Sequence, residues 1–62
     1  MEELKEIWSG FMETVKDADQ RMQKFIEKGT KSAGTDVRKY MMRVKEYAGD
    51  IRKAITKVKN AE

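Results

Sequence analysis

An all-α antiparallel helical hairpin is the fold this sequence predicts, and three observations carry the prediction. No proline interrupts the 62 residues, of which 40% are charged. Apolar residues recur in two long stripes at alternating spacings of four and three, the pattern of a coiled-coil seam. Between the stripes lies the one turn-rich stretch, Gly29-Thr30-Lys31-Ser32-Ala33-Gly34-Thr35.

The first helix is expected at about residues 2–28. Glu2, Glu3 and Glu6 complement the positive end of its dipole, and Gly29 suits a C-cap because glycine enters the left-handed region cheaply. Its stripe is Leu4, Trp8, Phe11, Val15, Ala18, Met22 and Phe25. The second helix is expected at about 36–60, with Thr35 as N-cap and Asp36 in its first turn. Its stripe is Val37, Met41, Val44, Ala48, Ile51, Ile55 and Val58. Laid antiparallel, Leu4 falls beside Val58, Phe11 beside Ile51 and Phe25 beside Val37, so one loop register serves every layer. Trp8, Phe11, Phe25 and the methionines read as core. Gly10 and Gly49 fall inside helices, where each costs about 1 kcal/mol relative to alanine, and the sequence offers no reason for either.

Residues 1–62 read as a single hairpin domain. A chain of this size has a small core, and without cysteine it has no disulfide to compensate. An isolated hairpin leaves apolar edge in water. The flank bearing Ile7 from helix 1 and Tyr40, Tyr47 and Ala54 from helix 2 is therefore expected to be a dimer interface. Two hairpins related by a two-fold axis would close a four-helix bundle.

Much chemistry is excluded. With no cysteine and no histidine, the common transition-metal ligands, thiol chemistry and the usual general base are missing. The carboxylates at Glu2, Glu3 and Glu6 are explained by the helix dipole, and Glu13 and Asp17 lie one turn apart with no partner chemistry. No catalytic residue, metal, cofactor or small-molecule substrate is expected. There is no signal-peptide pattern and no uncharged run approaching the roughly 18–20 residues of a membrane span, so a soluble cytoplasmic protein is expected, with no membrane partner.

Charge is the informative property. Fourteen basic residues against eleven acidic ones give +3, but residues 1–28 carry five basic and seven acidic side chains while 36–62 carry eight basic and four acidic. In the second helix Arg38, Lys45, Arg52 and Lys59 recur every seven residues, about 10.5 Å apart, with Lys39, Arg43, Lys53 and Lys57 on adjoining positions. Such a column can follow a phosphate backbone and gain affinity by releasing counterions. The plainer reading is a solvated helix face, offset in part by Asp19, Glu46 and Asp50. Lys31 and the hydroxyls of the Gly29–Thr35 stretch, at the start of the second helix, form a second candidate phosphate contact. They lack the spacing of a P-loop.

The segment Gly29-Thr30-Lys31-Ser32-Ala33-Gly34-Thr35, with Arg38-Lys39, Arg52-Lys53 and Lys57-Val58-Lys59-Asn60-Ala61 after it, resembles the linker-histone-like family of bacterial nucleoid proteins, which also has phage members. The resemblance covers about the C-terminal half. It implies a non-enzymatic, sequence-nonspecific architectural protein associated with DNA in the nucleoid. Under it Lys31, Arg38, Lys39, Arg43, Lys45, Arg52, Lys53, Lys57 and Lys59 would contact phosphates. Asp36 stands where relatives often carry arginine. The Lys/Ala/Pro-rich tail that supplies much of the DNA affinity of the chlamydial relatives has no counterpart within these residues, and a hairpin without it could keep a dimerisation role while binding DNA weakly or not at all. Two alternatives differ in kind. One is a helical protein–protein or self-assembly module without nucleic-acid binding; the other is a basic amphipathic helix lying on an anionic membrane.

Overall fold

The computed structural model describes residues 2–61, and side chains through Asn60. Two helices, α1 (Glu2–Lys28) and α2 (Lys31–Ala61), pack against each other as an antiparallel hairpin 49 × 15 × 12 Å in extent. Helical repeat alone gives α2 a length of about 46 Å, so the long dimension is one straight helix. No strand occurs among the described residues.

The turn is tighter than the sequence predicts. Only Gly29 and Thr30 lie outside the helices, and α2 starts at Lys31 instead of near residue 36. Gly29 caps α1 as expected: its φ is +61°, and its N–H donates to the Phe25 carbonyl at 2.8 Å, the single bond of a left-handed cap. Thr30 takes the N-cap position in place of Thr35, its carbonyl accepting from the Gly34 N–H at 3.2 Å. Thr35 is inside the helix, with its hydroxyl bonded to the Lys31 carbonyl. The physical reason is packing. Starting α2 early brings Ala33 and Gly34 against the end of α1, where Ala33 is 6% exposed and the Phe25 ring fills the space a Cβ on Gly34 would take.

The seam also differs from the expected one. On α1 the sheltered positions are Leu4, Ile7, Gly10, Phe11, Thr14, Ala18 and Arg21; on α2 they include Ala33, Val37, Tyr40, Val44, Tyr47, Ile51, Ala54 and Val58. Expected and observed seams share Leu4, Phe11 and Ala18 and also Val37, Val44, Ile51 and Val58. They part at the positions between. Ile7, Thr14 and Arg21 replace Trp8, Val15 and Met22, while Tyr40, Tyr47 and Ala54 replace Met41, Ala48 and Ile55. The register moves by about a turn as well, Phe11 meeting Tyr47 at 6.4 Å between ring centroids.

Shape complementarity accounts for the choice. A Cβ on Gly10 would lie 2.6 Å from Tyr47 Oη, so Gly10 is the notch that admits the tyrosine. Beside it the Thr14 hydroxyl donates to the Gly10 carbonyl at 2.9 Å, which satisfies a buried polar group within its own helix. Arg21 lays its guanidinium over the Tyr40 ring at 5.5 Å. Small residues (Gly10, Thr14, Ala18) thus face large ones, and the helices approach closely without any large side chain being fully buried.

The consequence for the expected dimer interface is direct. Tyr40 and Tyr47 are engaged inside the hairpin, with Ile7 and Ala54 half-buried along the same seam, so this flank is not an open face. Exposed instead are residues read as core: Trp8 (51%), Val15, Met22, Phe25, Met41 and Ile55 (44%). In an antiparallel pair the positions just after the seam on both helices flank one edge, so Trp8, Val15, Met22, Met41, Ala48 and Ile55 form one stripe. The apolar arc of each helix is wider than a single partner helix covers.

Candidate nucleic-acid interface

The cationic face is built by the heptad that builds the seam. With Val37, Val44, Ile51 and Val58 turned inward, the residue after each of them must point outward, and those residues are Arg38, Lys45, Arg52 and Lys59. All four are exposed, and the column runs about 32 Å along α2. Lys39 and Lys53 stand one position further round and are exposed too. The described part of α2 holds nine basic and three acidic residues, against five and seven in α1.

No cation of this face is in direct contact with a carboxylate among the described residues. Among the described residues the one ion pair is Lys5–Glu2 at 3.8 Å, an exposed contact within α1 of little energetic weight. Asp19, expected to offset the ridge, instead accepts from Gln23 at 3.4 Å. Glu46 and Asp50 lie on α2 without an ion-pair partner.

The nine residues expected to contact phosphates fall into groups. Arg52, Lys53 and Lys57 line one shallow groove with Gly49, Thr56 and Asn60; Lys45 and Lys53 border an adjoining one with Gly49, and there Glu46 and Asp50 stand beside them. A Cβ on Gly49 would meet nothing within 4 Å, so this glycine leaves a gap in the middle of the basic column. Arg38 and Lys59 extend the column toward its two ends. Lys31 stands apart at the turn, in the first position of α2. Lys39 and Arg43 line a separate concavity with Arg21, Asp36 and Tyr40.

Arg21, Lys24 and Lys28 escaped sequence reasoning, which concentrated on the second helix. Their spacing of three and four puts them on one side of the last turns of α1, a signal the sequence does contain. In the structure they line a hollow with Thr30, Ser32 and Asp36.

Neither helix is long and apolar enough to cross a membrane. Among the described residues no three carboxylates stand together as a metal site. What the surface presents is extended and cationic, which defines a class: small all-α proteins with one basic helix face. The chain falls in a known family of that class. Residues 1–61 match the family model of the histone H1-like protein Hc1, and the chain belongs to this family. The match takes in the first helix as well as the second, so it reaches well beyond the C-terminal half on which the resemblance rested. A histone H1-like family points to a DNA-associated, architectural role. Neither a curated protein nor a solved structure matches the chain.

Proposed function

We propose that this hairpin binds DNA without regard to sequence, through phosphate contacts from the outer face of α2, and packs it in the nucleoid without catalysing a reaction. One observation carries the proposal: a column of cations at heptad spacing, exposed and in no ion pair among the described residues, on a single straight helix. Membership in a histone H1-like family supports it. Lys45, Arg52, Lys53 and Lys57 are its centre, around the gap at Gly49, where a sugar-phosphate backbone can approach the helix closely. Arg38, Lys39, Arg43, Lys59 and Lys31 add contacts toward the ends. Each is a point charge or fork aimed at phosphate oxygens, and none is placed on a helix shaped to enter a groove, so base edges are not read.

The working unit is proposed to be a homodimer. The stripe of Trp8, Val15, Met22, Met41 and Ile55 is an apolar face that a second hairpin would cover, completing a four-helix bundle. The basic column lies three residues before Met41, Ala48 and Ile55 on α2, at the edge of this face, so pairing would leave the cations at the rim and free.

Reversing the charge of Arg52 and Lys53 together tests the DNA contact. Arg52→Glu/Lys53→Glu is expected to weaken binding to unrelated duplexes equally, with helicity unchanged; equal affinity for wild type and variant would remove the proposal. The exposed stripe also favours a second reading, an assembly module that binds no nucleic acid. Capture of helical protein partners, with no duplex binding by wild-type protein at low salt, would favour that alternative.

A further inference from the structure

We infer that the concavity between Arg21 of α1 and Arg43 of α2 is a binding site for a single phosphate group, with Tyr40 as its positioning residue. The two guanidinium carbons lie 5.5 and 5.6 Å from the centroid of the same Tyr40 ring. One aromatic ring therefore engages two like charges from different helices, each favoured by its quadrupole and both at the same hollow. Neither arginine is in an ion pair among the described residues. Both line one hollow of about 160 Å³ together with Lys39, Asp36 and Tyr40. Three cations and one carboxylate share that lining, and the adjoining hollow adds Lys24 and Lys28.

A tetrahedral oxyanion resolves what this geometry leaves open. Guanidiniums present forked N–H donors that match phosphate oxygens, and those held in place by an aromatic ring lose less freedom on binding than free ones. A phosphate in the hollow accepts from Arg21 and Arg43, with Lys39 as a third donor. Asp36 opposes it, and so weakens the site. This hollow is separate from the column of Arg38, Lys45, Arg52 and Lys59, and it takes a residue from α1. That its phosphate belongs to a nucleic-acid backbone rests on the function proposed above; that it binds phosphate does not.

Inorganic phosphate, titrated into isotope-labelled full-length protein at constant ionic strength, tests the site through the arginine Nε–H resonances. Those of Arg21 and Arg43 are expected to shift together and saturate, while those of Arg38 and Arg52 stay in place. Asp36→Asn should tighten the site by about two- to fivefold, the range expected for one exposed charge. Arg43→Gln should abolish the saturable shift at Arg21 while helicity is retained. All arginines drifting alike without saturation would overturn the inference, as would an Asp36→Asn affinity equal to that of wild type. A duplex arm uses Arg21→Gln, which lies outside the α2 face: loss of its DNA affinity makes the ligand a backbone diester, and unchanged DNA affinity beside saturable phosphate binding by wild type makes it a free phosphate. Should Arg52→Glu/Lys53→Glu bind duplex normally, the α2 column fails and the phosphate titration is untouched.

Discussion

The hydroxyl of Tyr47 occupies the place where a side chain on Gly10 would begin. A Cβ on Gly10 would stand 2.6 Å from Tyr47 Oη and 3.1 Å from Cζ. A glycine in the interior of a helix is otherwise a loss of about 1 kcal/mol against alanine, and what it permits here is the close approach of the tyrosine.

Gly10→Ala is therefore expected to destabilise the hairpin by up to about 2 kcal/mol, overpacking of about 1–3 kcal/mol being set against a gain of about 1 kcal/mol in helix propensity. Tyr47→Phe in the same chain should restore part of the loss by removing the nearest atom. Thermal denaturation of the double-mutant cycle checks this; additive effects would show that Gly10 and Tyr47 are not coupled.

Gly49 is the contrasting case, because a Cβ there meets nothing within 4 Å. Gly49→Ala should stabilise the protein by up to about 1 kcal/mol. If the gap at Gly49 admits a DNA backbone, the same substitution weakens duplex binding. Denaturation and duplex titration of one variant read both effects, with opposite signs.

Gly29 holds the turn at a φ of +61°. Gly29→Ala is expected to cost about 1–2 kcal/mol, the penalty for an L side chain in the left-handed region, and should appear as a lower midpoint in chemical denaturation. An unchanged midpoint would mean that the two-residue turn is not under this constraint.

Self-association should map to the exposed stripe and not to the tyrosines. Met41→Glu or Ile55→Glu is expected to convert a dimer to a monomer in sedimentation equilibrium at tens of micromolar, with helicity largely kept. Tyr47→Glu should lower stability in monomer and dimer alike, because Tyr47 packs on Phe11 within the chain. Wild-type protein that stays monomeric throughout the concentration range would eliminate the dimer.

Both helices, the antiparallel hairpin and the Gly29 cap were legible in the sequence, because they rest on periodicity and on one glycine with a backbone role. The seam was legible only in half. Leu4, Phe11, Ala18, Val37, Val44, Ile51 and Val58 belong to two overlapping heptads, and the residues that complete the more apolar one, Trp8, Val15, Met22, Met41 and Ile55, stay outside. Choosing between the heptads depends on which surfaces fit, a notch at Gly10 for Tyr47 and an arginine over Tyr40, and hydrophobicity does not encode that. The early start of α2 has the same origin. Thr35-Asp36 is a good capping signal, but the chain gains more by burying Ala33 and seating Phe25 at Gly34. The α2 cations were legible as a column because heptad spacing fixes their direction. The Arg21–Tyr40–Arg43 cluster was not, since it exists only once two distant segments meet in this register.

The salt dependence of duplex binding tests the central claim most directly. If the exposed cations of α2 neutralise phosphates, log K plotted against log salt should be a straight line, with a slope of about −3.5 for four contacts and a steeper one for more. Affinity should be the same for unrelated duplex sequences. A flat dependence, or no association even at about 50 mM salt, would contradict phosphate binding by this face.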